Sequence, residues 1–218
     1  MKSILLIGLG RFGKHLARQL SAYDHDILAI DIDEERVNDV LPYVHNAEIG
    51  HFTNEAYIES LGVRNFDVCI VALGNNFQNS LEVTALLKEK GAQHIISRAD
   101  SDSHAKLLKL VGADETVDPE KDMANRLAVK LSSKSVIDYF QLTSNFSIYE
   151  IPVPAKWEGK TIGEIGVRTR YNVSVLATRL KDSEDLKPIP KADYVFSKDE
   201  TLMVFGNNED VKKLINTV

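Results

Sequence analysis

Up to Asp118, short apolar runs alternate with segments of helical spacing. Ser3 to Gly8 (SILLIG) is a run of strand-forming side chains, followed by three spaced glycines and then by Phe12 to Ala22, where Phe12, Leu16, Ala17 and Leu20 fall near helical spacing. The pattern predicts strand, turn and helix. Asp26 to Asp31 (DILAID) predicts a second buried strand, Asp33 to Leu41 a helix opened by acids, Ala47 to Gly50 a short third strand, and Asn54 to Leu61 a helix stopped by Gly62. Val68 to Leu73 is apolar throughout, as a central parallel strand buried on both faces must be, and Gln78 to Lys90 follows as a helix ended by Gly91. His94 to Ser97 and Glu115 to Val117 predict two more strands, separated by a helix over Asp102 to Val111 that Gly112 closes. This alternation predicts an α/β fold built on a doubly wound parallel sheet.

Past Pro119 the alternation stops. Met123, Leu127, Leu131 and, beyond Ser132 and Ser133, Val136, Ile137, Tyr139 and Phe140 read as helices with more apolar surface than one sheet face covers. They call for a second partner, within the chain or in another subunit. From Ser147 the pattern predicts a strand (SIYEIPV), a loop with Trp157 and Gly159, a short helix at Ile162 to Ile165, and a strand over Val173 to Arg179. A polar loop over Asp182 to Asp193, a strand over Thr201 to Gly206 and a helix over Glu209 to Ile215 complete it. The expected organisation is a first domain over residues 1–120, linker or crossover helices with an oligomer contact over 121–143, and a second, smaller α+β C-terminal lobe over 144–218.

Charge and composition narrow the function. The 26 Lys and Arg against 32 Asp and Glu leave a net charge of −6, without the basic footprint of a nucleic-acid binder. The longest apolar runs, Ile4 to Ile7 and Val68 to Leu73, fall far below the roughly 18 residues that cross a bilayer. One cysteine, Cys69, excludes a disulfide framework, and the absence of a secretory pattern after Met1 leads to the expectation of a cytoplasmic protein.

The candidate chemistry lies in the turn after the first strand. Gly8-Leu9-Gly10-Arg11-Phe12-Gly13 is G-x-G-x-x-G between a strand and a helix, the Rossmann-type context in which backbone N–H groups and a helix N-terminus approach a diphosphate. Asp31 ends the second strand, where a carboxylate accepts from ribose hydroxyls and repels a 2′-phosphate; Ile32 and Asp33 follow, and the nearest base is Arg36. Arg11 adds a full positive charge inside the loop, which suits a polyphosphate. His51, Gly74, Asn75 and Arg98 all follow strands, at the edge where such a sheet binds ligands. The cluster Arg98-Ala99-Asp100-Ser101-Asp102-Ser103-His104 reads as helix capping in preference to a metal site.

Signals for catalysis are weak. Tyr194-x-x-x-Lys198 has a dehydrogenase-like spacing but lies in the small lobe, outside a predicted helix; Cys69 belongs to a buried strand; no His pair has zinc spacing. A binding module is the expected class. A small NAD-dependent oxidoreductase is the alternative. A redox-sensing transcription regulator is disfavoured by the acidic balance and the lack of a helix-turn-helix pattern.

The segments ILLIGLGRFG, AIDIDEERV, IVALGNN, SRADSDSHAKLLKLVGAD and DPEKDMANRLA together resemble the RCK family, the regulators of potassium conductance, across nearly the whole chain. With one nucleotide domain and one small lobe, the chain is similar to the Ktr-type cytosolic subunits of bacterial potassium uptake and unlike the longer Trk-type subunits. The resemblance implies a gating subunit, not an enzyme, peripheral on the inner face of the plasma membrane. It would form an octameric ring of dimers beneath a membrane-embedded, potassium-translocating dimer. It implies ATP or ADP as ligand, with NAD or NADH as the alternative. It places Arg11 at the phosphates, with Gly8, Gly10, Phe12 and Gly13 in the loop; Asp31, Ile32 and Asp33 around ribose and adenine; and His51 and Phe52 beside the base. Leu73, Gly74, Asn75, Arg98, Ala99, Asp100 and His104 would complete the wall. Glu120 would reach the nucleotide across a subunit contact and hold a divalent cation. Ile162 and Arg168 are the positions implied for cyclic di-AMP in the small lobe.

Overall fold

The computed structural model describes residues 1–74 and 76–216. Six parallel strands, β1 (Ser3–Ile7), β2 (Asp26–Asp31), β3 (Asn46–Ile49), β4 (Val68–Val71), β5 (Ile95–Arg98) and β6 (Glu115–Val117), form a sheet in the order β3-β2-β1-β4-β5-β6. The helices α1 (Arg11–Leu20), α2 (Glu34–Val40), α3 (Glu55–Ser60), α4 (Phe77–Glu89) and α5 (Asp102–Val111) join them. Two halves of the sheet run outward from β1 and β4, and the crevice at the carboxyl ends of those two strands is where this topology receives ligands.

Side-chain alternation explains why both faces are apolar. On β1, Ile4 and Leu6 pack with Ala17 of α1 and Val37 and Val40 of α2, while Leu5 and Ile7 pack with Ile58 of α3 and Val83 and Leu87 of α4. On β4, Val68 and Ile70 join the first cluster and Cys69 and Val71 the second. Successive residues of a strand point to opposite faces, so a strand covered on both sides must be continuously apolar. Helices α2 to α5 start on side-chain caps supplied by Asp33, Asn54, Asn76 and Ser101, whereas α1 starts after Gly10 without one.

Packing divides the chain into Met1–Glu120 and Lys121–Val218. The division falls inside α6 (Pro119–Ser132). The second unit holds β7 (Asp138–Gln141), β8 (Phe146–Pro152), α7 (Ile162–Ile165), α8 (Val167–Tyr171), β9 (Val173–Leu180), β10 (Leu186–Pro188), β11 (Glu200–Asn207) and α9 (Asn208–Ile215). Its antiparallel sheet runs β10-β9-β11-β8-β7 around a core that includes Trp157, Phe196, Ile151, Leu202, Val204 and Leu214.

One expectation is overturned here. Val136 to Phe140 do not continue a helix: Asp138–Gln141 is the edge strand β7, paired with β8. Tyr139 faces the core against Tyr149, with ring centroids 4.9 Å apart, and Phe140 faces outward beneath Arg126, whose Cζ lies 4.2 Å from its ring centre. Arg126 Nε and Nη2 also donate to Asp138 Oδ1 and Oδ2 at 2.9 and 2.6 Å, joining α6 to the strand. Only Pro119–Ser132 is helical in this stretch, and the second sheet takes in residues before 144.

Candidate functional site

A cavity of about 520 Å³ opens at the carboxyl ends of β1 and β4. Its floor is the glycine loop. Gly8 has φ +95°, a conformation that disfavours any side chain, and a Cβ there would also lie 2.7 Å from Leu73 Cδ2. A Cβ on Gly13 would run into the Gly8 carbonyl oxygen, so this glycine lets α1 pack directly on the turn. Gly10 precedes the first residue of α1 and has open space where a Cβ would stand. Helix α1 carries no acid in its first turn, so its N-terminal N–H groups keep their partial positive charge toward the cavity.

Asp31 is buried at the end of β2. Its Oδ2 accepts from the Leu9 N–H at 2.6 Å and its Oδ1 from the Asp33 N–H at 3.1 Å, so it fixes the glycine loop as well as facing the cavity. Arg36, on the first turn of α2, lies 3.6 Å from Asp31 Oδ2 and 3.3 Å from Asp33 Oδ2. Lys14 pairs with Asp39 at 2.5 Å. On the opposite wall Arg98 lies over Phe12, Cζ 5.7 Å from the ring centre, and its Nη2 donates to Glu120 Oε1 at 2.5 Å. Four bases (Arg11, Lys14, Arg36, Arg98) and three acids (Asp31, Asp39, Glu120) line the cavity, giving it an excess of positive charge in a chain of net charge −6.

Of the residues expected from the sequence, Gly8, Gly10, Arg11, Phe12, Asp31, Ile32, Phe52, Leu73, Gly74, Arg98 and Glu120 line this one cavity. Gly13 supports it from beneath, and Asp33 caps α2 with its side chain. His51 is exposed and Ala99 buried, and neither side chain lines it. Asn75 lies outside the described residues.

His104 and Asp100 are not among the residues that line the cavity. His104 is buried, with Nε2 2.7 Å from Ser80 Oγ and Nδ1 2.9 Å from Asp100 Oδ1. The Asp–His–Ser order is that of a hydrolase, but Ser80 is fully buried and offers no access to a substrate. The set instead ties α4 and α5 to the loop that follows Arg98. Burial alone would raise the Asp100 carboxyl, but hydrogen bonds with His104 and Ser101 outweigh it and hold its pKa below the usual value.

Lys14, Arg36 and Asp39 were not anticipated as lining residues. Each sits on a helix flanking the loop, and the i, i+3 spacing of Asp33 and Arg36 was the available signal. As for a divalent cation at Glu120, no group of three His, Cys, Asp or Glu side chains among the described residues gathers to hold a metal ion, and this carboxylate is engaged by Arg98. In the second unit, Ile162 and Arg168 line another cavity of about 370 Å³, with Gly163, Gly166, Val175 and Pro190 among their neighbours.

Comparison with known proteins decides the family. Residues 4–119 match the TrkA-N domain and residues 146–218 the TrkA-C domain. The chain belongs to the TrkA-N/TrkA-C family of RCK proteins. It is 37% identical over 212 residues to Ktr system potassium uptake protein C of Bacillus subtilis, covering 97% of this chain and 95% of that protein. It is also 37% identical over 215 residues to Ktr system potassium uptake protein A of the same organism, covering 99% and 96%. The solved GsuK RCK domain superposes with a TM-score of 0.69 at 21% identity, over 100% of this chain and 47% of that one. At that identity the likeness speaks for the RCK fold alone. No helix among the described residues is long and apolar enough to cross a membrane.

Proposed function

We propose that this RCK chain is a cytosolic, nucleotide-sensing regulatory subunit of a bacterial potassium-uptake system, working as a homo-oligomer beneath a membrane-embedded potassium-translocating partner. The observation that carries the reading is the cavity wall: a glycine loop at a helix N-terminus, a buried carboxylate at the end of β2, and four cationic side chains facing one space. That combination suits an adenosine carrying two or more phosphates, with ATP and ADP the principal ligands and NAD or NADH the competing ones. The near-full-length likeness to Ktr subunits supports the potassium-uptake context. In this reading ligand binding reshapes an octameric ring, and the ring acts on the partner. The second cavity, with Ile162 and Arg168 on its wall, is assigned to cyclic di-AMP.

The test is calorimetry of ATP, ADP, NADH and cyclic di-AMP on one preparation, with its mass measured by light scattering. Binding of adenine nucleotides by an oligomer is expected. Asp31→Ala should weaken all of them alike, tenfold or more by order of magnitude, because ribose is common to them and the Leu9 N–H loses its acceptor. A monomer that binds none of these compounds would refute the reading. Turnover of NADH with a small carbonyl substrate would favour the oxidoreductase instead.

A further inference from the structure

Arg98 leaves the carboxyl end of β5 and folds across Gly74, where a Cβ would collide with its guanidinium, and it lies over the face of Phe12. The backbone that carries it is tied down on both sides by buried polar groups. Before it, Ser97 Oγ stands 2.9 Å from Thr84 Oγ1, and the Thr84 hydroxyl donates in turn to the Ser80 carbonyl oxygen at 2.6 Å. After it, Asp100 Oδ1 meets His104 Nδ1 at 2.9 Å, and His104 Nε2 meets Ser80 Oγ at 2.7 Å. Ser80, Thr84, Ser97 and His104 are each no more than 1% exposed. Both ties therefore converge on Ser80 of α4. The start of that helix also puts Asn76 and Asn79 on the cavity wall, and its Phe77 ring lies 4.6 Å from the His104 ring.

Leaving a buried polar group unpaired is costly, so a satisfied network of this kind has one favoured arrangement and imposes it on the segments it joins. None of these four side chains lines the cavity, yet the residues they connect do: Arg98 on one side, Asn76 and Asn79 on the other. Packing α5 on the sheet needs no imidazole, because an apolar side chain fills such a place without the cost of burying a polar group. We propose that His104 is a positioning residue of the ligand site, which through Asp100 and Ser80 fixes Arg98 relative to the start of α4 and so aims its guanidinium at the phosphates. This rests on the nucleotide reading of the cavity and adds which buried group sets its geometry. A planar guanidinium fork must be oriented to bind a phosphate with two hydrogen bonds, whereas an ammonium on a flexible stem acts as a point charge. Dependence on His104 is therefore a property of arginine at position 98 and not of positive charge there.

The experiment is calorimetry of ADP on the full chain for the wild type, His104→Ala, Arg98→Lys and the double variant, with a melting temperature for each. Leu108→Ala, at a fully buried apolar position of the same helix, is the packing control. His104→Ala is expected to weaken ADP on the order of fivefold or more when Arg98 is present, and by less than about twofold in the Arg98→Lys background. Leu108→Ala is expected to lower the melting temperature at least as far and to bind ADP as the wild type does. Should His104→Ala fail to fold, Ser80→Ala, which removes the partner of His104 Nε2 and little volume, serves the same arm. Equal losses in the two backgrounds overturn the proposal, as does a matching loss in Leu108→Ala or unaltered ADP binding by His104→Ala. Wild-type protein that binds neither ADP nor ATP nor NADH would instead remove the nucleotide reading, and this proposal with it.

Discussion

Two glycines of one loop have opposite tolerances, and the difference separates folding from binding. A methyl group at position 13 meets the Gly8 backbone oxygen, which cannot move without distorting the turn, whereas a methyl at position 10 meets open space. Gly13→Ala should therefore lower stability by about 1–3 kcal/mol, the usual cost of overpacking, and show as a lower melting temperature. Gly10→Ala should melt like the wild type yet lose nucleotide affinity, because its methyl would stand where a diphosphate approaches the backbone. A Gly10→Ala protein with unaltered affinity would move the phosphates off this loop. Cys69 gives a second measurement at this scale. Burial raises its thiol to about 12, so it should resist iodoacetamide in the native protein and react fully only after denaturation. Among individual residues the glycines and Asp31 were legible because their roles depend on local backbone. His104 was not: its place after β5 suggested the crevice, but the ring turns inward to Ser80. Lys14 with Asp39 and Arg36 with Asp31 depend on how α1 and α2 flank the loop, which sequence spacing alone did not specify.

At the scale of elements, two carboxylates join segments and give them a predictable response to acid. Hydrogen bonds from Arg126 hold the Asp138 carboxyl below its usual pKa, and the Ile95 N–H does the same for Asp114, whose Oδ2 it meets at 2.8 Å. A carboxyl with a depressed folded-state pKa contributes stability above its unfolded value, near 3.9, and loses it as pH falls through the folded value. Melting temperature should therefore fall as the buffer is taken below about pH 4. Asp138→Asn should start lower at neutral pH and fall less steeply in acid. A parallel acid profile for variant and wild type would show that this pair does not contribute. The same elements show what the sequence pattern could reveal. Strands β1, β2 and β4 were readable because burial on both faces demands an apolar run. Strands β7 and β10 were not: both lie at the edges of their sheet, Leu186–Pro188 is exposed throughout, and Tyr139 and Phe140 point to opposite sides. Two aromatic neighbours following Val136 and Ile137 look the same in sequence whether they cover a helix or alternate across a strand.

At the scale of the whole molecule, gating sets an energetic requirement that a lone chain meets poorly. Shifting a gate from 1:99 to 99:1 needs roughly 5.5 kcal/mol of differential binding, while one coupled site supplies typically 1–3 kcal/mol. Several copies acting together reach that total, and the chain carries surface suited to such assembly. Leu107 and Leu110 are exposed on α5, Leu110 by 81%, and Met123, Leu127 and Leu131 are exposed on α6 at intervals of four residues. A single exposed Leu is ordinary, but apolar side chains repeated along one helix are more typical of a surface that another protein covers. Light scattering should return a multiple of 24.3 kDa for the wild type. Leu110→Asp alters no buried contact of the isolated chain, so its melting as a folded unit should persist while the scattering mass falls. The ligand response should fall with it, because copies that no longer touch cannot pool their binding energies. An assembly of unchanged mass would take α5 out of the interface, and the same substitution at Leu127 or Leu131 would then ask whether α6 alone holds the copies together.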